Sequence, residues 1–593
     1  MKIIYRSVLA VVCVSGCFSL SIQAQTATKD TTLNRQVSVE REYTPVIQDA
    51  FKINTMPAIE ESAKPNTNVP YVTDIPQVEL SAYPIKDMGS GDAATGIDFS
   101  KKRGYFIFGV GHNINLDGRL GYRVVDADND RLDIFASHNS ANSDVDYLDQ
   151  GYLFKSIKAK YSDSYLKAKY QHSFEPSVLY LNASYLNSMY NYYGNSFFNS
   201  SLSIPYPYSD KQQNVNVFGG EAGIKSKELD DISYFADFKF HHFTNKYGPY
   251  EESKGTNGNM IEGSAGVGTT FDSDKKVDIG FGFFNQSYGK ILFSDFAPEA
   301  FHDLSVLKAD AHFGFEGGSW NVLLGAKLNY AIDVKNKFVI APDIRASIRF
   351  ADRNSVYAIV TGEINENNFL QTLLENRYAN PATRVGYSST LYDATLGFRI
   401  GALDGFEFDI FGKYKYTKDD HLYLYGSGNT AYRSWGNYSA STYANVGEGS
   451  VGGQIKTQLI PYTDLTLRAQ AYHYDVKYVN DRYDEDNTAL LADKKKAWGK
   501  PAFTVDLNAD VKPVDKLLLT LNYIYKGGRK TYFRDQTVNM KDVNELNFRG
   551  EYQFLDWLSA NLTFNNLLNQ KYETFYGYTH QGFNVMGGLS LKF

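Results

Sequence analysis

Few residues in this sequence stand in patterns that could do chemistry. His241 and His242 adjoin in Phe238-Lys239-Phe240-His241-His242-Phe243. An imidazole pair can hold zinc or move a proton. On a strand, however, successive side chains point to opposite faces, so these two cannot share one ion without a bulge. Asp126-Ala127-Asp128-Asn129-Asp130 has the alternating carboxylates that open a calcium loop. An EF-hand also needs glycine at its sixth position and glutamate at its twelfth, where this chain has Arg131 and Ser137. The acidic stretch Asp481 to Asp486 is equally loose, and a solvated turn accounts for both. No Gly-X-Ser-X-Gly, Walker or Rossmann signature stands in a strand–helix context. The reading is a non-enzyme with no cofactor and no metal. Two aromatic groups, Tyr190-Asn191-Tyr192-Tyr193 and the pair Tyr423 and Tyr425, could stack on sugar rings, pack on one another or sit at the membrane interface. Packing is the expectation.

The elements that would carry these residues are strands. From Lys102 onward, apolar and polar residues alternate with a period of two, broken by turn signals. Val277, Ile279, Phe281 and Phe283 share one face, opposite Asp278, Gly280 and Gly282. Trp320, Val322, Leu324, Ala326, Leu328 and Tyr330 share another, opposite Asn321, Gly325, Lys327 and Asn329, with Leu323 as an exception. Phe503, Val505, Leu507, Ala509 and Val511 alternate with Thr504, Asp506, Asn508 and Asp510. Two aspartates on one face are costly in a dry core, but a hydrated lumen tolerates them. The 46 tyrosines and 39 phenylalanines suit aromatic girdles at two membrane interfaces.

Tight turns alternate with long connections. The turns include Asp272-Ser273-Asp274, Gly317-Gly318, Ala351-Asp352-Arg353-Asn354 and Lys512-Pro513-Val514-Asp515. The long connections lie near 191–212, 246–258, 290–302, 365–385, 419–446, 480–499, 528–542 and 568–581. That asymmetry is the pattern of a bacterial outer-membrane barrel, with short periplasmic turns and long outer loops. The predicted fold is an all-β transmembrane antiparallel barrel over 102–593. Counting alternating segments reaches 23, with 103–175 reading as short strands and crowded turns. Two periplasmic termini need an even number, so about 22 strands are expected, within a range of 20 to 24. So wide a barrel cannot fill its interior with side chains, so it is a channel or something plugs it, and a wide open barrel would leave the cell leaky.

The N-terminus reads as an export signal over 1–24. Lys2 and Arg6 precede an apolar stretch from Val8 to Ile22, and Ala24 offers a cleavage site before Gln25. Val14-Ser15-Gly16-Cys17 competes as a lipoprotein signal, but apolar character continues through Phe18, Leu20 and Ile22. Both cysteines, Cys13 and Cys17, lie in this stretch, so its removal leaves no thiol chemistry and no disulfide. Residues 25–101 carry Pro45, Pro57, Pro65, Pro70, Pro76 and Pro84 and read as extended chain. Their most distinctive pieces are Arg41-Glu42-Tyr43-Thr44-Pro45-Val46 and Phe51-Lys52-Ile53-Asn54. The segment reads equally as a plain periplasmic tail or linker, or as a piece that binds a periplasmic partner, through Arg41, Glu42, Tyr43 and Pro45, or folds into the lumen. The net charge of −7 is spread along the chain with no long basic run, which argues against nucleic acid as a partner.

The chain closes on Phe583 to Phe593, F-N-V-M-G-G-L-S-L-K-F. Phe583, Leu589, Leu591 and Phe593 share one face of this strand and resemble the signal read by barrel-assembly machinery. Asn561 to Tyr572 (N-L-T-F-N-N-L-L-N-Q-K-Y) followed by this strand resembles the C-terminus of TonB-dependent receptors, outer-membrane transporters common in Bacteroidetes. Asn367-Asn368-Phe369-Leu370-Gln371 is compatible with that family. The resemblance implies an outer-membrane location, lipid around the barrel, solute or nutrient passage, and a TonB-type partner. It departs at the front, where too few residues precede the barrel for the family's folded plug. Arg35 to Glu40 is a faint match to its TonB-gripping box. A docking subunit of an envelope complex, holding a partner through 36–57, is the competing reading.

Overall fold

The computed structural model describes residues 102–148, 156–194, 212–227, 232–248, 255–271, 274–289, 302–333, 336–350, 353–380, 386–403, 405–425, 439–478, 495–533 and 536–593. They form one closed antiparallel barrel of 22 strands. Closure is direct. The first strand, Gly104–Gly111, pairs on one side with Asn115–Asp126 and on the other with the last strand, Asn584–Lys592. Gly104 and Phe593 exchange backbone hydrogen bonds of 2.8 and 2.9 Å. Both ends of the barrel therefore lie at one rim, and the Lys102 ammonium donates to the Asp556 carbonyl there, at 2.5 Å. Short connections such as 127–129, 317–319 and 556–557 share that rim, while the long ones share the other, together with the short 112–114 and 333–336.

The region 103–175 differs from the reading of crowded turns. It holds four strands, three of them long: Asn115–Asp126, Asp130–Asp146 and Ser156–Ser173. The polar run from Ser137 to Asp144 is paired throughout with Lys158–Tyr165. The connection expected over 419–446 is also shorter, because Asp420–Tyr425 pairs with Ser439–Ala444 after a bulge. Strand Phe503–Val514 takes in most of the turn expected at 512–515, so that the turn falls at 515–516, with Pro513 at a register shift where no ladder donor is needed.

Strand Lys337–Phe350 shows how sequence sets the two faces. Phe338, Ile340, Ile344, Ile348 and Phe350 are exposed on its outer side. Asp343, Arg345 and the residues in phase with them point inward, where Asp343 meets Lys327, His312 and Arg345 at 3.1–3.4 Å. From Phe338 to Phe350 the chain climbs about 40 Å, or roughly 30 Å along the axis of a tilted barrel, enough for an apolar band bounded by aromatic rings.

At the long-connection end this polarity reverses. Phe283 is exposed and Phe284 buried; Leu307 is exposed and Val306 buried; Phe218 is exposed and Val217 buried. Above these, the outer face becomes polar: Asn187 donates to Asn214 and Asn216 at 2.7 and 2.8 Å, and Asn285 to Ser305 at 2.9 Å. The strands thus extend past the apolar band, and their apolar side turns inward. The largest buried apolar cluster of the described residues sits there, with Val215, Phe243, Met260, Leu304 and Tyr387 among its members.

Two glycines let tyrosines cross the inner wall. Tyr357 is paired with Gly397 on the next strand and reaches over it to Asp409 on the strand beyond, at 3.0 Å. Tyr180 passes over Gly223 to Asp237 in the same way, at 2.8 Å. A Cβ on either glycine would overlap the ring. Gly397→Ala is expected to cost about 1–3 kcal/mol through overpacking. Gly412→Ala, with nothing within 4 Å of its Cβ, should be neutral. The temperature at which the barrel loses its fast mobility on an unheated denaturing gel reads the difference.

Candidate functional site

The chemical candidates of the sequence are distributed as solitary residues. His241 and His242 occupy opposite faces, and His242 bonds Asn259 outside at 2.8 Å. Asp126 pairs with Arg123 at 3.5 Å, and Asp130 accepts from Tyr170 and His172 at 2.6 and 2.8 Å. Their carboxylates are committed to neighbours at a turn. No group of three or more metal-ligating side chains occurs among the described residues. Asp481 to Asp486 and the partner-binding set Arg41, Glu42, Tyr43 and Pro45 lie outside the described residues. In the last strand, Phe583, Leu589 and Phe593 are exposed and Leu591 is half-buried.

What the structure brings together is the mouth at the long-connection end. The connection from 368 carries the helix Phe369–Glu375, an element absent from the all-strand reading. Asn368 starts it, its side-chain oxygen accepting from the Gln371 N–H at 2.8 Å. Leu370 and Leu373, one turn apart, are buried together against the inner apolar belt. Phe369 stacks on Phe243 with ring centroids 4.2 Å apart, and its N–H donates to Gln286 at 2.9 Å. The helix therefore leans inward on the wall.

Arg377 fixes its far end. Its guanidinium meets Asp163 at 3.1 Å, with the two side chains only 10% and 5% exposed. It also lies 5.1 Å from the centre of the Tyr161 ring and 5.8 Å from that of Tyr190. Ser188 donates to the other Asp163 oxygen at 2.6 Å. Breaking such a buried pair by removing one partner typically costs about 3–5 kcal/mol, because the charge left behind has no counterion. Beyond it, Ala379 bridges to Ser439, whose N–H donates to the Tyr378 carbonyl at 2.8 Å.

A second segment meets this one. The hairpin Glu573–Phe575 and Tyr578–Thr579 presents Tyr578, which stacks on Tyr378 at 3.9 Å. Tyr193 packs edge-on against both rings and donates its hydroxyl to the Thr579 carbonyl at 3.0 Å. Burial raises the pKa of the Tyr192 and Tyr193 hydroxyls, so both stay protonated. Tyr423 contacts Phe575 and donates to Glu375, which also takes His421 at 2.6 Å. Lys500, in another connection, pairs with Asp420 at 2.7 Å. Burial works against its ammonium, but Asp420 and Glu448 outweigh that and raise its pKa. The packing expected of Tyr190, Tyr192 and Tyr193 is what occurs; the Tyr425 side chain lies outside the described residues.

The sequence reading missed Asn368, Leu370, Leu373, Arg377 and Asp163 as a set. A local signal existed. An asparagine followed by Phe369, Leu370, Leu373 and Leu374 has helix-cap and helix-period character. The Arg377–Asp163 pair, 214 residues apart, has no local signal. Between helix and wall remains a cavity of about 40 Å³, lined by Tyr190, Tyr192, Tyr288, Thr372 and Asn376 among others. That is water-sized. The arrangement can block or admit.

No protein-family model and no curated protein matches the chain. Its fold matches solved structures. The ferric enterobactin receptor PfeA of Pseudomonas aeruginosa superposes with a TM-score of 0.61 at 10% identity, covering 83% of this chain and 82% of that one. The siderophore receptor PiuA from Acinetobacter baumannii gives 0.58 at 10% identity, covering 83% and 82%. The ferripyoverdine receptor of the outer membrane of Pseudomonas aeruginosa gives 0.56 at 12% identity, covering 83% and 72%. At such identities the likeness is one of fold.

Proposed function

We propose that this chain is an outer-membrane transport barrel of the TonB-dependent receptor type. Its long connections face outward, its termini lie in the periplasm, and a solute or nutrient passes through its lumen. The observation that carries this is a closed 22-strand wall, apolar outside and polar inside, with packed segments standing in one mouth. The shared fold of three receptors for siderophores or their ferric forms, one of them described as of the outer membrane, supports it. Residues 25–101 follow an export signal over 1–24 and narrow the periplasmic opening in place of a folded plug. Phe583, Leu589, Leu591 and Phe593 present the chain to the assembly machinery. Efflux of small sugars from liposomes holding the purified chain tests the reading. Release well above protein-free liposomes once the mouth is loosened supports it, and none under any condition sinks it.

The packed mouth also favours a second reading, a docking subunit that holds a periplasmic partner through Arg41, Glu42, Tyr43 and Pro45. A stoichiometric partner that co-purifies, and is lost on removing 36–57, would establish it. A chain that purifies alone would count against it.

A further inference from the structure

We propose that the segment Asn368–Asn380 is a hinged gate in the outer mouth and that the Arg377–Asp163 pair is its latch. The inference rests on the transport reading and adds its control point. Four observations converge on it. The helix is a short, separately capped unit rather than a continuation of the preceding strand, which ends at Asn367. Its hold on the wall is side-chain packing through Phe369, Leu370 and Leu373, with backbone bonding confined to its two ends. Of its two ion pairs with the wall among the described residues, Glu375–His421 and Arg377–Asp163, the second is the more deeply buried, so it is strong while closed and has no gradual way to loosen. And the segment meets the hairpin of a different connection through one stacked ring pair, Tyr378 on Tyr578, which gives the closed mouth two separable halves.

A buried ion pair at a mobile contact behaves as a two-state switch. With both charges present, the closed state satisfies each. With one removed, the other is left in a nearly dry site, and the open state, where water reaches it, becomes the better one. Opening swings Leu370 and Leu373 away from the inner belt and clears the lumen at its upper end. Anything that draws Arg377 from Asp163, such as an anionic group arriving at the mouth, shifts the same equilibrium.

Ala379 supplies the probe. It is 8% exposed and bridged to Ser439, which is 4% exposed. The only native cysteines, Cys13 and Cys17, can be replaced by serine. In the full chain carrying A379C, a membrane-impermeant maleimide should label slowly. Arg377→Gln should speed that labelling about tenfold or more, since each tenfold shift in opening needs only ~1.4 kcal/mol. Asp163→Asn in the Arg377→Gln background should bring it back toward the starting rate, because it removes the buried carboxylate left without a counterion and leaves two neutral amides. Barrel mobility on an unheated gel should be the same for all three. In a chain that carries Arg377→Gln and lacks residues 25–101, a disulfide between A379C and S439C, formed with copper phenanthroline, should cancel the conductance, and dithiothreitol should restore it. Unchanged labelling in Arg377→Gln, or conductance indifferent to the disulfide, would overturn the gate and leave the transport reading standing. Faster labelling with no conductance would keep the gate and count against solute passage.

Discussion

Removal of residues 584–593 is expected to leave no barrel at all. The strand Asn584–Lys592 is the only partner on one side of Gly104–Gly111 and on one side of Leu558–Asn565. Without it, two strand edges would stand open in the hydrocarbon, and each unpaired backbone group there costs several kcal/mol. No local repair is available, because a 22-strand wall cannot re-close on the odd strand left over without reversing one neighbour to parallel. The check is the heat-dependent mobility of the purified chain in detergent, full length against truncated. A truncated chain that still migrates as a compact species would show that the seam is not where the barrel closes. Phe593→Ala separates assembly from stability. Its backbone bonds to Gly104 remain, and only the stacking on Tyr122 is lost. We therefore expect refolding in detergent to survive and delivery to the outer membrane in cells to fall, the second being the role proposed for Phe583, Leu589, Leu591 and Phe593.

Ile344→Arg is the second large effect. Ile344 is exposed midway between Phe338 and Phe350 on the outer face, near the middle of the apolar band. An arginine at that depth costs about 2–4 kcal/mol in a membrane barrel. The next residue is already an arginine: Arg345 points inward and pairs with Asp343 at 3.3 Å. The same side chain one position apart should thus be ruinous or native. Unfolding by urea in lipid vesicles reads this directly. A loss in Ile344→Arg below about 1 kcal/mol would mean that this face is not against lipid.

Much of this wall was legible because β alternation is a local property. Phe503 to Val511 and Trp320 to Tyr330 place their faces correctly from sequence alone, since a period of two leaves little freedom once one face must be apolar. The polar strand Asp130–Asp146 was not legible. Its serines and asparagines suggest turns, yet ladder pairing with Ser156–Ser173 holds them, as tertiary context overrides propensity. At the mouth, Asn368 and the leucines after it carried a readable helix signal inside a connection read as loop. Arg377 and Asp163 could not be joined in advance, because what unites them is the inward lean of the helix and the burial it imposes. Tyr357, Gly397 and Asp409 show the same limit: each is ordinary alone, and the contact exists only across three adjacent strands.

The most direct measurement is single-channel conductance in a planar bilayer, for the full chain and for a chain lacking residues 25–101 and carrying Arg377→Gln. The expected result is a silent full chain and a steadily conducting double variant, because both proposed obstructions to the lumen have then been removed. A full chain that conducts as freely as the variant would contradict occlusion. Silence from both, with the barrel intact on an unheated gel, would contradict transport.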